Sequence, residues 1–245
     1  MLLFRRSEIR RVVLALLPLP VLALAAAALG QAGGAEVPGT GDGRDTPAET
    51  VVAADPVPEP QRREELLAAY ERSRRATWLI DFAFRRRLHN GGRLDLTVVE
   101  LNRPPDHLIA GLGGRSGTVG GRTIRCEQVE GREICAPQGA AVPFEDSLAE
   151  QVSELRDALQ PPAKWYAVGL GERRRVAGEQ ATCFVLTRLV NVPSPPYGDR
   201  AEYCFAEDGV PLLARVERRE GTDERTAEAV RRVVTDADVE DFLAG

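Results

Sequence analysis

Four cysteines are the residues of this chain whose type and spacing point most directly to chemistry. They fall as two pairs of near neighbours, Cys126 with Cys135 and Cys183 with Cys204. Thiols at such positions can form disulfides, bind a metal or serve as reactive groups. Zinc sites need closely spaced cysteine or histidine ligands, whereas here the spacings are wide and the chain has only two histidines. The spacing therefore favours disulfides.

Four cysteines allow three pairings, and strand register selects among them. If residues 130–131 (Glu-Gly) form a two-residue hairpin turn, Cys126 faces Cys135 at a non-hydrogen-bonded position, where side chains come closest. Cys183 and Cys204 then pair by exclusion. Two disulfides predict that this part of the chain lies in an oxidising compartment outside the cytoplasm.

No catalytic motif stands out in the chain. The glycine-rich stretch 111–117 lacks the lysine and the following helix that a phosphate loop needs, so it predicts a flexible loop. Ser116 is not in a nucleophile elbow, because Thr118 stands where the second glycine should be. His89 and His107 could act as bases only beside a nucleophile, and none is marked. We therefore predict no enzyme, cofactor or metal, with a hydrolase as a remote alternative.

The N-terminal residues predict export. Residues 1–11 contain four arginines and residues 12–29 carry no charge, so segment 12–30 is either a single-pass membrane anchor or a cleaved signal peptide. The arginines stay in the cytoplasm, which places the C-terminal part outside the membrane, or secretes it after cleavage. Residues 31–60 are rich in glycine, proline and acids, and predict a disordered tether to one domain at 61–245.

The charge balance argues against nucleic acid as a partner. The chain has a net charge of −5, and residues 1–30 contribute +3, so the exported remainder carries −8. A domain of that sign attracts neither nucleic acid nor anionic lipid headgroups electrostatically. Contact with the cytoplasmic membrane is therefore predicted through residues 12–29.

Hydrophobic periodicity predicts an α+β domain. Helices are expected over 61–76 and from Ser147, where Glu150 completes a capping box. The other segments alternate with period two and are joined by short turns, as antiparallel strands are, and the last such strand covers 225–234. The order predicts a strongly curved antiparallel sheet, a half-barrel, with two helices packed on its concave side.

Several motifs occur in an order that resembles a known superfamily. They are Val176-Ala177-Gly178, Cys183-Phe184-Val185-Leu186, Tyr197-Gly198, Asp208-Gly209-Val210-Pro211-Leu212 and Glu220-Gly221, with Asn102-Arg103-Pro104-Pro105 upstream. This order resembles the LolA-like superfamily of periplasmic proteins, which includes the LppX/LprG-type lipid carriers and the RseB/MucB sensors of envelope stress. The resemblance implies a half-barrel whose cavity, between sheet and helices, takes acyl chains.

An apolar cavity of this kind needs apolar side chains at inward positions. The candidates for its lining are Trp78, Ile80, Phe82, Phe84, Leu96, Val98, Leu155 and Leu159. The alternative is that they form an ordinary core under a helix. The function implied is a non-enzymatic, membrane-tethered module that binds a lipid or a lipidated protein. A regulatory module that binds an envelope protein without lipid cargo is the alternative.

Overall fold

The computed structural model describes residues 58–111, 114–130, 132–191 and 195–244. The predicted cytoplasmic segment 1–11, the anchor or signal segment 12–30 and the tether up to residue 57 lie outside these residues, so they stay predictions. Within the described residues, no helix combines the length and the apolar character that crossing a membrane requires.

The strands of the described chain are all antiparallel to their neighbours and form a sheet. They are β1 (Trp78–Leu88), β2 (Arg93–Arg103), β3 (Asp106–Gly111), β4 (Gly114–Val119), β5 (Arg122–Val129), β6 (Arg132–Ala140), β7 (Tyr166–Leu170), β8 (Arg174–Val176), β9 (Glu179–Arg188), β10 (Arg200–Phe205), β11 (Pro211–Arg218) and β12 (Gly221–Arg231). The sheet order is β6-β5-β4-β3-β2-β1-β12-β11-β10-β9-β7, and β8 pairs with β9. The sheet is open, because β6 and β7 are its two edges.

Three helices cover parts of both faces of this sheet. They are α1 (Glu59–Arg75), α2 (Phe144–Leu159) and α3 (Asp236–Ala244). α1 and α2 pack on one face, here called the concave face, where Leu66 and Leu155 share a core with Leu186. α3 packs on the opposite, outer face, where Val239 contacts the cluster that contains Leu101. The predicted fold class, an α+β half-barrel with two helices on its concave side, is confirmed.

The starts of both predicted helices differ from expectation. α1 begins two residues early and includes Pro60, which the sequence placed in the tether. Proline suits the first helical turn, because its fixed φ is already helical and its missing N–H would have no partner there. α2 begins at Phe144 after Pro143, so Ser147 is not its cap. The Ser147 hydroxyl instead accepts a hydrogen bond from Gln151 at 3.0 Å.

The described residues of the glycine-rich stretch are not the flexible loop that its composition predicted. Residues 114–119 form β4, which pairs with β3 and β5. Gly117 has φ +154° and lies so close to β3 that a Cβ would overlap the backbone of His107 and Leu108. Glycine is therefore used here for close strand packing rather than for flexibility.

Both predicted disulfides are confirmed. Cys126 pairs with Cys135 directly across the β5–β6 hairpin, and Cys183 pairs with Cys204 across β9 and β10. No described cysteine is free. The first bond closes the hairpin at one edge of the sheet, and the second fixes the register of two strands beneath the helices.

The C-terminal helix α3 was missed by the sequence interpretation, which ended with a strand over 225–234. β12 ends at Arg231, and α3 follows after a turn. Asp238 accepts a hydrogen bond from the Thr235 backbone N–H at 2.7 Å, and the Asp238 N–H donates to the Thr235 hydroxyl at 3.3 Å. This reciprocal pattern is a capping box, a signal that the sequence Thr-Asp-Ala-Asp carried.

Replacing Gly117 by alanine is expected to lower the free energy of unfolding by about 2–4 kcal/mol, because a Cβ collides with β3 at a strained φ. Gly139→Ala is the matched control, since a Cβ there meets nothing within 4 Å. Urea denaturation followed by circular dichroism measures both. Equal stability of the two variants would contradict the close approach of β3 and β4.

Candidate functional site

The concave face of the central strands changes from buried to half-exposed along its length. Alternate side chains of the paired strands β1 and β2 lie on the concave face, and each one on β1 is beside its partner on β2. The buried members are Trp78, Ile80, Phe82, Val98, Glu100 and Asn102, and the half-buried members are Phe84, Arg86, Leu94 and Leu96. The concave face is therefore closed at the end where β1 begins and open at the end where β1 turns into β2.

The C-terminal end of α1 closes the first of these ends. The Trp78 indole N–H donates to the Ser73 carbonyl at 3.1 Å. The Asn102 amide donates to the carbonyls of Arg74 and Ala76 at 3.1 and 2.6 Å. These bonds satisfy carbonyl groups at the helix end that have no partner within the helix, so the junction is rigid as well as closed.

The eight predicted lining residues do not form one wall. The six on β1 and β2 share the concave face and belong to one cluster. Leu155 and Leu159 pack in a different cluster, between α1, α2 and the strands near β7. Trp78, Ile80 and Phe82 are at most 1% exposed, and Val98 is 8% exposed. The other two of the six, Phe84 and Leu96, are half-buried.

A buried charge network crosses the concave face over Phe82. The Glu100 carboxylate accepts from Arg225 Nη1 at 2.8 Å and lies 2.9 Å from His107 Nε2. The Arg225 guanidinium lies 4.6 Å from the centre of the Phe82 ring. Arg225 therefore reaches from β12 across β1 to β2, and it covers an aromatic ring that the sequence assigned to an apolar cavity.

Burial and charge act in opposite directions on Glu100, which is 1% exposed. Burial alone would raise the pKa of its carboxyl group, but the charge of Arg225 and the hydrogen bond to His107 outweigh burial and lower the pKa to about 2. Glu100 is therefore ionised at neutral pH, and its charge is balanced inside the protein.

A second charge cluster lies at the open end. Arg86 donates two hydrogen bonds to Asp223, at 2.5 and 2.6 Å, and Arg218 lies 3.8 Å from the same carboxylate. The Arg86 guanidinium is also 6.0 Å from the centre of the Phe84 ring. Apolar and cationic groups are thus neighbours where the concave face opens.

Tyrosines lie between the helices and the concave face of the sheet. The Tyr70 hydroxyl donates to Gln151 at 2.9 Å, and burial raises the pKa of Tyr70 to about 12. The Tyr166 hydroxyl donates to the Gly198 carbonyl at 3.0 Å. The Tyr203 hydroxyl is buried, and no described atom hydrogen-bonds to it. Burial raises the pKa of Tyr203 as well, so its hydroxyl stays protonated and can donate.

A separate open groove of about 1100 Å³ lies between α1 and the ends of β9 and β10. Its floor includes the buried Phe184 and Phe205, but half of its fourteen lining residues are charged: Glu65, Arg72, Arg173, Glu179, Glu207, Asp208 and Arg232. None of the eight predicted lining residues takes part in it. This groove is more polar than the cavity that the resemblance implied.

The sequence interpretation did not single out Glu100, Arg225 or Asp223, which form the two charge clusters of the concave face. His107, predicted as a surface or packing residue, contacts Glu100, whereas His89 is exposed in the β1–β2 turn and Ser116 lies on β4. The signal for Glu100 was present. Leu96 and Val98 are predicted to point inward from β2, and the same alternation places Glu100 next on that face.

Replacing Glu100 by glutamine is expected to lower the free energy of unfolding at pH 7 by about 3–5 kcal/mol, because Arg225 loses its counterion while remaining mostly buried. The pKa of Glu100 is lower in the folded protein, so its stabilisation is complete above about pH 4.5 and is lost as the pH falls toward 2. The stability difference between the wild type and the variant should therefore shrink over that range.

Urea denaturation at pH 7 and pH 3 measures this difference. Glu127→Gln is the control, because Glu127 forms only an exposed ion pair with Arg125. A difference that is independent of pH would contradict the lowered pKa of Glu100.

Comparison with known proteins gives similarities of structure. No family model matches the chain, and no curated protein matches it. MucB in the MucA/MucB complex of Pseudomonas aeruginosa is 18% identical, with a TM-score of 0.48, and the match covers 76% of this chain and 61% of that one. Lipoprotein LppX of Mycobacterium tuberculosis is 10% identical, with a TM-score of 0.39 and coverage of 73% and 99%.

A LolA superfamily protein of Nitrosomonas europaea is 8% identical, with a TM-score of 0.31 and coverage of 72% and 96%. The chain spans about three fifths of the length of the MucB chains. At these identities and TM-scores, the similarities carry no argument about function. The structures similar to this chain thus include MucB, LppX and a LolA superfamily protein, which are members of the groups that the sequence motifs resemble.

Proposed function

We propose that this domain is a non-enzymatic module that binds the acyl chain of a lipid or of a lipidated protein on its concave face. The observation that carries the proposal is the open end of that face, where Phe84, Leu94 and Leu96 are only half-buried beside a buried apolar floor. The domain would act outside the cytoplasm, as the N-terminal residues predict.

The open end has the form that an apolar ligand needs. A ligand chain lying along Phe84 and Leu96 removes apolar surface from water on both partners, which contributes about 25 cal/mol for each Å² buried. The closed end, which α1 seals through Trp78 and Asn102, limits how far such a chain can enter. The ligand would therefore lie between the open end and the Arg225–Glu100 pair.

The proposal requires no reaction. Glu100 is held ionised by its partners, and Tyr203 is held neutral by burial, so neither is poised to exchange protons near neutral pH. A carrier or a sensor needs only to bury the ligand on the concave face and to hold it by fixed hydrogen bonds.

Protein made in a bacterial host is expected to carry acyl chains that organic extraction and mass spectrometry detect. Phe84→Asp should lower the molar ratio of bound chain roughly tenfold or more, because it places a charge on the apolar contact surface. Val233→Asp is the control, since Val233 is already 75% exposed. Wild-type protein without any acyl chain, in extracts and after incubation with lipid, would refute the proposal.

The groove beside α1 favours a second candidate function, the binding of a protein segment. Its charged rim surrounds a small apolar floor, and this mixture suits a polypeptide better than an acyl chain. This candidate corresponds to a regulatory module with an envelope protein as its partner, and it uses a different surface from the first.

A photo-crosslinking residue at position 68 tests the second candidate, because Ala68 is exposed on α1 and lines the groove. Crosslinking in intact cells should give a discrete protein adduct from this position. The same residue at position 149, where an exposed alanine lies on α2, should give none. The same adducts from both positions would exclude the groove as a specific site.

A further inference from the structure

We propose that the ligand of the concave face is an anionic amphiphile, whose carboxylate or phosphate group is bound by Arg218 at the open end while its chain lies along Phe84 and Leu96. This inference rests on the proposed acyl-chain function and adds to it the charge of the ligand and the residue that recognises it.

The first support is an excess of positive charge on the concave face of the sheet. Three arginines, Arg86, Arg218 and Arg225, share two carboxylates, Glu100 and Asp223. Their side chains are 13–24% exposed, so water screens them only in part. The exported part of the chain is acidic, and a partly buried cationic excess within it attracts an anionic ligand.

Arg218 is the arginine of this group without a close partner. Its Nε lies 3.8 Å from Asp223, and both oxygens of that carboxylate already accept hydrogen bonds from Arg86. No hydrogen bond from the Arg218 guanidinium to another described residue occurs within the structure. The planar guanidinium carries five N–H donors, an arrangement that can bind a carboxylate or a phosphate bidentately, and its side chain is 24% exposed.

Two of the acids near this end are paired with arginines outside the group of three. Asp199 pairs with Arg188 at 2.9 Å. Glu217 precedes Arg218 in β11, so its side chain is on the outer face, where it lies within 3.7 Å of Arg200 and Arg215. Glu220 is exposed in the β11–β12 turn and acts electrostatically on Arg86. Neither Asp199 nor Glu217 is therefore placed to neutralise Arg218.

The Tyr203 hydroxyl is the second, independent support. It is buried without a hydrogen-bond partner among the described atoms, and a buried polar group in that state is costly unless something binds it. Arg218 and Arg225 both act electrostatically on Tyr203. Ala214 lies between Tyr203 and Arg225 on the sheet, because it pairs with Tyr203 of β10 and with Arg225 of β12. Only the small side chain of Ala214 therefore separates Tyr203 from Arg225 on the concave face.

The same end of the concave face also supplies the apolar contact. Arg86 lies against the Phe84 ring, so the cationic group and the apolar wall adjoin. An amphiphile bound with its head at Arg218 and its chain on Phe84 satisfies both surfaces at once. A neutral lipid would satisfy only the apolar one.

Binding of palmitate and of methyl palmitate to the delipidated protein at pH 7.5 tests the inference, because the two ligands share a chain and differ in charge. We expect palmitate to bind at least about tenfold more tightly, since charge-assisted hydrogen bonds discriminate by roughly that factor or more. Arg218→Gln should abolish the preference without weakening methyl palmitate, and Arg218→Lys should restore part of it.

Arg219→Gln is the matched control, because Arg219 is exposed in the adjacent turn. Urea midpoints of all variants show whether they remain folded, and a salt series should reduce the palmitate preference as charges are screened. Inorganic phosphate, tested alone, should bind weakly because it lacks a chain.

The outcomes separate the two proposals. Equal binding of both palmitate compounds would overturn the anionic inference and leave the acyl-chain function intact. Binding of neither compound would overturn the function and the inference together. Phosphate binding that depends on Arg218, without binding of either palmitate compound, would show an anion site and would also refute the amphiphile.

Discussion

The ion pair between Arg225 and Glu100 is the interaction on which the organisation of this domain depends. It joins β12 to β2 across β1, and it holds His107 of β3 against the same carboxylate. A buried carboxylate that lost its partners would face the full cost of leaving water, so these three side chains require one another. Because Arg225 also lies over Phe82, the pair fixes where the apolar floor of the concave face ends.

The consequence is a concave face that is amphipathic rather than uniformly apolar. At its closed end, Trp78 and Asn102 are tied to the last turn of α1. At its open end, Arg86 lies beside the Phe84 ring, and Arg218 and Arg86 both lie near Asp223. Under the proposed function, such a surface would select ligands that have both a chain and a charge, whereas a tunnel with only apolar walls would select by length and width.

The sequence predicted the architecture better than the site. Period-two alternation and short turns identified antiparallel strands, and the register about residues 130–131 correctly paired Cys126 with Cys135. These features depend on neighbouring residues, which a sequence shows directly. The interpretation failed for features that depend on tertiary packing. Close approach to β3, not chain flexibility, explains Gly117, and α3 was missed although Thr235 and Asp238 carried its cap. The partners of Glu100 come from strands distant in sequence, so alternation could place Glu100 inward but could not name Arg225.

The disulfide between Cys183 and Cys204 lies on the outer face of the sheet, behind Tyr203, whose side chain is on the concave face. Tyr203 and Phe184 pair directly across β10 and β9. Cys204 follows Tyr203, and Cys183 precedes Phe184, so the disulfide joins their sequence neighbours on the outer face. The covalent link thus sets the separation and orientation of two side chains on the other side of the sheet. In a reducing environment this covalent constraint would be absent, and only strand hydrogen bonds and packing under the helices would hold Tyr203 and Phe184 in place.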